Sequence, residues 1–496
     1  MKQNKKKETM PNCIFLAADQ LRYDVLGKGY TPHIDALMQD SISFPNAYCA
    51  SPLCVPARGA LFTGTYPGVN GSLINGWLPP ERPYSLVKEG TDHLYGVMER
   101  LGMECFHSGK QHLFVEGIPL EDRPDTKTTW LTTEKSYSAF VKGQGKRLPG
   151  GPLFRTEIPE MADGVHTRVC TYSNPHTGLY EEGYDCYFDG YFTEAALRAL
   201  DGYEKEKPLF LSMMFLAPHP PFDIPEPWYS RVKAEAVELP ENVDQWYDHQ
   251  SPLQKYNLTG YIGGSYHLDG WREAWRTYLG LVSLLDDCVG RILDKLKEKG
   301  LYDNSIIVFT SDHGEMLGSH RLFQKMCMYE ESVKTPLGIH MPGGRKKGSV
   351  KEQYVSHIDI FPTICDYYGI KPVSKVNGRS LMGLLEESDQ EAERPVYIQY
   401  DGNGSRGNFQ RCVIWKHYKY IIDIFKDECY FELYDLENDR QETKNLLFEA
   451  DDGRRSGFWA VACGLDQLLR AHLQEIRDGL TLPDWNPGEF IRNYNE

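Results

Sequence analysis

No stretch of the 496 residues is apolar for the roughly twenty positions that a bilayer-spanning helix needs. The chain also lacks a basic excess. Its formal net charge is −16, whereas a phosphate backbone is bound through a basic face. Neither membrane nor nucleic acid is therefore expected as a partner. An anionic substrate would have to be drawn by a local cationic pocket, against the field of the whole molecule. The twelve cysteines include no C-x-x-C pair and no dense framework, which suits free thiols in a reducing cytoplasm. Met1-Lys-Gln-Asn-Lys-Lys-Lys-Glu8 runs into a strand-like segment at Asn12 without an intervening apolar h-region, so cytoplasmic residence is expected. The sequons at Asn70, Asn257 and Asn403 would then carry no glycan. Internal repeats and low-complexity segments are absent too. What remains is a chain long enough for a large core and for two to four domains.

One stretch stands out, Ser51-Pro-Leu-Cys-Val-Pro-Ala-Arg-Gly-Ala-Leu-Phe-Thr-Gly64. Pro56 fits a first helical turn, where its missing N–H costs nothing. Cys54 then sits at the helix N-terminus, which favours negative charge. Arg58, about one turn further in, can offer a planar fork of donors to an oxyanion. A nucleophile aimed at a tetrahedral anion is one interpretation; a buried cysteine before an ordinary helix is the other.

Two apolar runs end in acids. Asn12 to Ala18 leads to Asp19-Gln20, and Asn304 to Ser311 leads to Asp312-His313. Both look like buried strands whose carboxyl ends face the edge where ligands collect in open α/β sheets. Oxygen ligands arriving from separate strands are what a hard cation requires, although either Asp also fits a simple turn cap. Lys110 and His112 alternate along an apparently extended segment, so both can face one side. His219 is held between prolines at the end of the apolar run Leu209 to Leu216, a poor place for a packing residue. Lys325 is an anion ligand or a solvated lysine, and Asn75 a substrate-facing amide or a turn residue. Residues 118 to 191 look like long loops over a rigid scaffold, and Pro225 to Gly270 like a second, aromatic insertion. The spacing predicts a long helix over Arg272 to Lys299. Beyond a charged linker at Glu386 to Arg394, four short strands read as an antiparallel meander followed by a helix near Gly457 to Arg477.

The C-x-P-x-R-x-x-L-x-T-G motif around Cys54 resembles the signature of the sulfatase family. Asp19, Gly109-Lys-Gln-His112, Ala217-Pro-His219, Ser311-Asp-His-Gly-Glu-Met-Leu-Gly318 and Lys325 resemble further family landmarks, in the family order. So do Ser356-His-Ile-Asp-Ile-Phe-Pro-Thr363, Asn377-Gly-Arg-Ser-Leu and Leu433-Tyr-Asp-Leu-Glu-Asn-Asp439. The resemblance implies an alkaline-phosphatase-like α/β fold, a mixed sheet flanked by helices over residues 10–384, with a smaller α+β subdomain of antiparallel strands over residues 385–496. It implies that a maturase converts Cys54 to formylglycine. Asp19, Gln20, Asp312, His313 and the converted Cys54 would hold one divalent cation, calcium. Magnesium or manganese stays open because Gln20 stands where many relatives carry a second Asp; His313 replaces an Asn found in others. Arg58, Lys110 and Lys325 would hold the sulfonate, His219 would protonate the leaving oxygen, and His112 would act as base, with Asn75, Lys110, His219 and Lys325 as substrate contacts. The expected substrate is a small sulfate ester, a sulfated carbohydrate or another organosulfate. A phosphonate monoester or phosphodiester hydrolase shares the fold, but tends to lack a pair like Lys110 and His112. A two-metal phosphatase would need more ligands than His357 and Asp359 supply, and an unconverted Cys54 would leave a silent binding protein.

Overall fold

Asn12–Asp19 is the middle strand of the seven in the principal sheet of the computed structural model, which describes residues 10–162, 166–386, 393–402, 408–448 and 454–483. On one side it pairs in parallel with Ser305–Ser311, and on the other with Leu209–Pro218. Glu104–Gly109 and Thr128–Trp130 extend the parallel part. Leu337–His340 and Ile42–Ser43 close the opposite edge as antiparallel strands, so the sheet is mixed. All eight residues of the middle strand are buried, as a strand covered on both faces requires.

Alternation along this strand builds the two layers. Ile14, Leu16 and Ala18 pack with Leu281, Leu285 and Val289 of the helix Leu268–Glu298. Cys13, Phe15 and Ala17 pack on the other side with Leu61 and Phe62 of the helix Cys54–Thr63, and with Phe361 and Ile364. The long helix starts four residues before the predicted position. Two expectations need revision. The segment from residue 118 to 191 is not all loop: it contains the helix Glu134–Gly143 and a hairpin of Arg155–Ala162 with His166–Ser173. The stretch Tyr329 to Leu337, which also looks helical in the sequence, forms only one turn, Glu330–Val333, because the chain must soon supply the strand Leu337–His340.

The C-terminal meander is Val396–Tyr400, Phe409–Trp415, Tyr418–Phe425 and Glu428–Asp435, antiparallel throughout. Cys412, Ile414 and Ile421 face the principal core, whereas Val413, Tyr420 and Ile422 pack with Leu465 and Leu469 of the helix Arg454–Ile476. Ala60 of the Cys54 helix belongs to this second cluster. Most of the charged linker, and Asn403, lie outside the described residues. Lys419, fully buried, reaches from the meander to Glu330 at 2.8 Å, Glu442 at 2.7 Å and the carbonyl of Met328 at 2.9 Å. The ammonium thus holds the segment that follows Lys325. Burial opposes the charge on Lys419, yet the two carboxylates hold its pKa above the ordinary lysine value.

Removing one member of a buried ion group strands the others without compensation. Lys419→Met should therefore lower the unfolding free energy by about 3–5 kcal/mol in chemical denaturation, and should loosen the Met328–Glu330 backbone in hydrogen exchange.

Candidate active site

The register of the central strands places the two acids side by side, since Ala18 is opposite Ser311 and each strand then delivers its Asp. Asp19, Asp312, His313 and Cys54 are all buried, and one ligand-capable atom from each lies within 4.8 Å of the others. Cys54 Sγ is 3.2 Å from His313 Nε2 and 3.9 Å from Asp19 Oδ1. The His313 Nδ1–H donates to the carbonyl of Gly314 at 3.0 Å, which leaves the Nε2 lone pair facing the cluster. Arg58 donates from Nε to Asp312 at 2.9 Å, from Nη2 to Asp19 at 3.1 Å and from Nη1 to the carbonyl of Lys110. Its fork is committed to the two carboxylates rather than presented to solvent. Lys110 adds an ion pair to Asp19 at 2.5 Å.

Backbone geometry delivers these groups. Gly109 has φ of +117°, and a Cβ there would fall 1.9 Å from the carbonyl oxygen of Met214. Only glycine lets the edge of the sheet turn so closely into Lys110. Asn75 accepts the Val55 N–H at 3.0 Å, satisfying a free donor in the first turn of the Cys54 helix. Lys325 lies between Gln324 and Met326, both in the left-handed region at φ of 70° and 75°. That strain, about 1–2 kcal/mol at each residue, is held by the Gln324 N–H on Glu315 at 2.5 Å and the Met326 N–H on the carbonyl of Pro52 at 3.1 Å.

Lys325 Nζ donates to Gln20 Oε1 at 2.6 Å and contacts His219 Nε2 at 3.2 Å. The Nδ1–H of His219 donates to the carbonyl of Pro220 at 2.5 Å, so Nε2 is the acceptor for the lysine proton. Burial, then Lys325 and Lys110, hold the His219 pKa below the usual histidine value. Gln20 in turn donates to Glu315, whose pKa burial raises. His112 Nε2 pairs with Glu134 at 2.7 Å, and its Nδ1 is buried. The neighbouring His112 holds the Glu134 carboxyl down to about 2. For Cys54, burial favours the thiol. Lys325, Lys110 and His313 overcome it and hold the pKa well below the ordinary cysteine value. Burial and Cys54 also push Asp19 up, yet Lys110, His219 and Arg58 leave it lower than an ordinary Asp. Above the cluster opens a cavity of about 570 Å³ lined by Cys54, Asn75, Lys110, His112, His219 and Lys325.

Every candidate residue is thus brought to one place, with four differences from the expected roles. Arg58, expected to hold the sulfonate, is spent on Asp19 and Asp312. His112 has φ of 49°, so the chain turns there; this turn, not extended alternation, puts Lys110 and His112 on the same cavity. The side-chain oxygen of Gln20 is taken by Lys325, which makes Gln20 a bridge from the lysine to Glu315 in place of a cation ligand. Asn75 is first a helix cap, although its amide lines the cavity. Glu134, Glu315, Trp77 and Arg155 were not recognised in the sequence. Only Glu315, inside the block beginning Asp312-His313-Gly314, carried a positional signal. His357 and Asp359 serve packing: His357 contacts Thr310 and Thr335 hydroxyls, and Asp359 caps Ser356 and holds Arg394. The group His33, Asp286 and Asp287 is likewise committed, to backbone N–H groups, Trp228 and Arg231.

Residues 11–370 match the sulfatase family, and residues 318–454 match the C-terminal region of N-sulphoglucosamine sulphohydrolase. The chain belongs to the sulfatase family and is a sulfuric ester hydrolase. It is 30% identical to the multifunctional alkaline phosphatase superfamily protein PehA of Trinickia caryophylli, over 88% of this chain and 91% of that one. It is 26% identical to an arylsulfatase of Clostridium perfringens, over 95% and 96%. A phosphonate monoester hydrolase from Silicibacter pomeroyi has the same fold, with a TM-score of 0.74 at 22% identity over 94% and 96% of the two chains. Among the described residues no helix is long and apolar enough to cross a membrane.

Sulfatases use a metal ion and formylglycine, and the cluster fits a cation. Two buried carboxylates and an imidazole nitrogen of fixed tautomer converge on one point, a donor set for a divalent ion with mostly oxygen ligands. A cation there should share with Arg58 the work of neutralising Asp19 and Asp312. Arg58→Met is accordingly expected to lose about 3–5 kcal/mol of stability in chelator, and to recover part of it when calcium is added. Denaturation of variant and parent with and without the ion measures this.

Proposed function

We propose that the protein hydrolyses a small sulfate ester, of a carbohydrate or another organic alcohol, after conversion of Cys54 to formylglycine by a maturase. The observation that carries this is the convergence of Lys110, Lys325, His219 and His112 on the Cys54 side chain in a single cavity. Asp19, Asp312 and His313, with the converted side chain, would hold one divalent cation, calcium by preference. The ion and the formylglycine together would supply a nucleophilic oxygen and Lewis-acid stabilisation of the sulfonate.

The remaining chemistry belongs to this chain. Lys110 and Lys325 present ammonium groups to the sulfonate oxygens and offset charge as it spreads in the transition state. Arg58, behind them, holds both carboxylates in place. The proton for the leaving oxygen comes from the Lys325–His219 pair, in which the lysine already donates toward His219 Nε2. Gln20 orients that lysine from the other side. His112 offers Nδ1 as a proton acceptor, because Nε2–H is pinned by Glu134. All twelve cysteines are free, which supports a reducing compartment and a small, imported substrate.

The Cys54 peptide should show one sulfur and two hydrogens replaced by one oxygen in mass spectrometry, and Cys54→Ala should be inactive. His219→Ala should cost about 10²–10⁴ in kcat, with a larger loss on an alkyl sulfate than on a nitrophenyl sulfate, whose leaving group needs no proton. A second reading, a phosphonate monoester or phosphodiester hydrolase, is favoured by the relationship to PehA, whose name declares several activities. Matched aryl sulfates and aryl phosphonates separate the two: a phosphonate preference of orders of magnitude in kcat/KM overturns the sulfate assignment.

A further inference from the structure

The wall of the cavity opposite the Cys54 cluster comes from the hairpin Arg155–Ala162 with His166–Ser173, and from the loop that carries Trp77. Arg155 lines the cavity from the base of the hairpin. Its one hydrogen bond is from Nη1 to the Ser173 hydroxyl at 3.1 Å, and among the described residues no carboxylate pairs with it. Arg155 is solvent-exposed. Among the described residues the one acid lining the cavity, Glu134, is taken by His112. Lys110 and Lys325 are required for the first sulfate, so Arg155 is a cation in excess, as is Lys135, which also lines the cavity.

The hairpin base that carries Arg155 is fixed. The carbonyl of Ser173 accepts from Gln324 Nε2 at 2.8 Å, next to Lys325, and Asn174 Nδ2 donates to Leu153 O at 3.1 Å and Thr156 Oγ1 at 3.2 Å across the hairpin base. Arg168, further along the hairpin, pairs with Glu81 of the Trp77 loop. Trp77 is 51% exposed, its ring tilted against His112 at 5.2 Å and edge-on to Phe114 at 6.2 Å. This is an aromatic face braced from behind and open toward the cavity.

We propose that Arg155 is a specificity-determining residue that binds a second negative charge, a carboxylate or a second sulfate, on the ring of the leaving group, while Trp77 stacks on that ring. The proposal rests on the sulfatase reading above and deepens it: the preferred substrate is a doubly anionic ring, not a neutral one. An unpaired guanidinium gains a charge-assisted, bidentate contact from such a group.

The test uses purified, matured enzyme and phenyl sulfates substituted at the 3- or 4-position with carboxylate, sulfonate or the isosteric carboxamide. The anionic-to-carboxamide ratio of kcat/KM should fall by about tenfold or more from wild type to Arg155→Ala, and Arg155→Lys should retain part of it. Because both esters are measured on one preparation, incomplete folding or conversion of Cys54 cancels from the ratio. A gain with sulfonate alone assigns the subsite to a second sulfate, and a gain with carboxylate alone to an acidic sugar. A ratio unchanged between wild type and Arg155→Ala overturns the proposal. Turnover of the carboxamide ester by wild type reports separately on sulfate hydrolysis itself; should only phosphonates turn over, the same ratio on ring-charged phosphonates supports or overturns the role of Arg155.

Discussion

The guanidinium of Arg58 ties together two strand ends that would otherwise repel. Asp19 and Asp312 are fully buried and one strand apart, and two carboxylates at that spacing cannot both stay ionised without close positive charge. Arg58 meets both at once, in a planar fork that a lysine could not reproduce. Its third contact, to the backbone of Lys110, fixes the loop that brings the next cation. The Cys54 helix is therefore anchored through its own second turn to three separate strands. Everything above that anchor, from the Cys54 side chain to the leaving-group proton, inherits its position.

The site is rigid at its floor and held under tension at its wall. The floor is built from parallel strands whose register is set by alternating apolar residues. The wall contains Lys325 between two left-handed residues, and His112 at another. Such geometry persists only where surrounding bonds over-determine it. Here Glu315, buried and accepting from Gln20, Leu317 and Gln324, supplies much of that constraint. One carboxylate thereby orients both the bridge to Lys325 and the loop that carries it.

The chemistry was legible in the sequence where a residue sat at the end of a strong pattern. Asp19 and Asp312 close apolar runs, Cys54 opens a helix, and His219 is fenced by prolines. The C-terminal meander followed from short strands and short connections, whereas the mixed sheet came only from the family resemblance. What stayed hidden depends on contacts distant in the chain. Glu134 is an ordinary first-turn acid until the fold sets His112 beside it. Gln20 could be placed near the cation but not turned toward Lys325. Arg155 and Trp77 lie in segments of weak pattern, where local composition says nothing about which side chain will face the cavity. The hairpin itself was missed because its residues alternate without an apolar face strong enough to mark a strand.

The reach of Lys419 into the principal layer has a further meaning for how the enzyme is assembled. A ribosome releases the meander long after the catalytic strands have emerged, so the backbone after Lys325 lacks its buried counter-ion until Lys419 is in place. Docking of the meander and completion of the catalytic wall are then one event, and a nascent polypeptide carries the signature motif without the means to keep its second lysine poised.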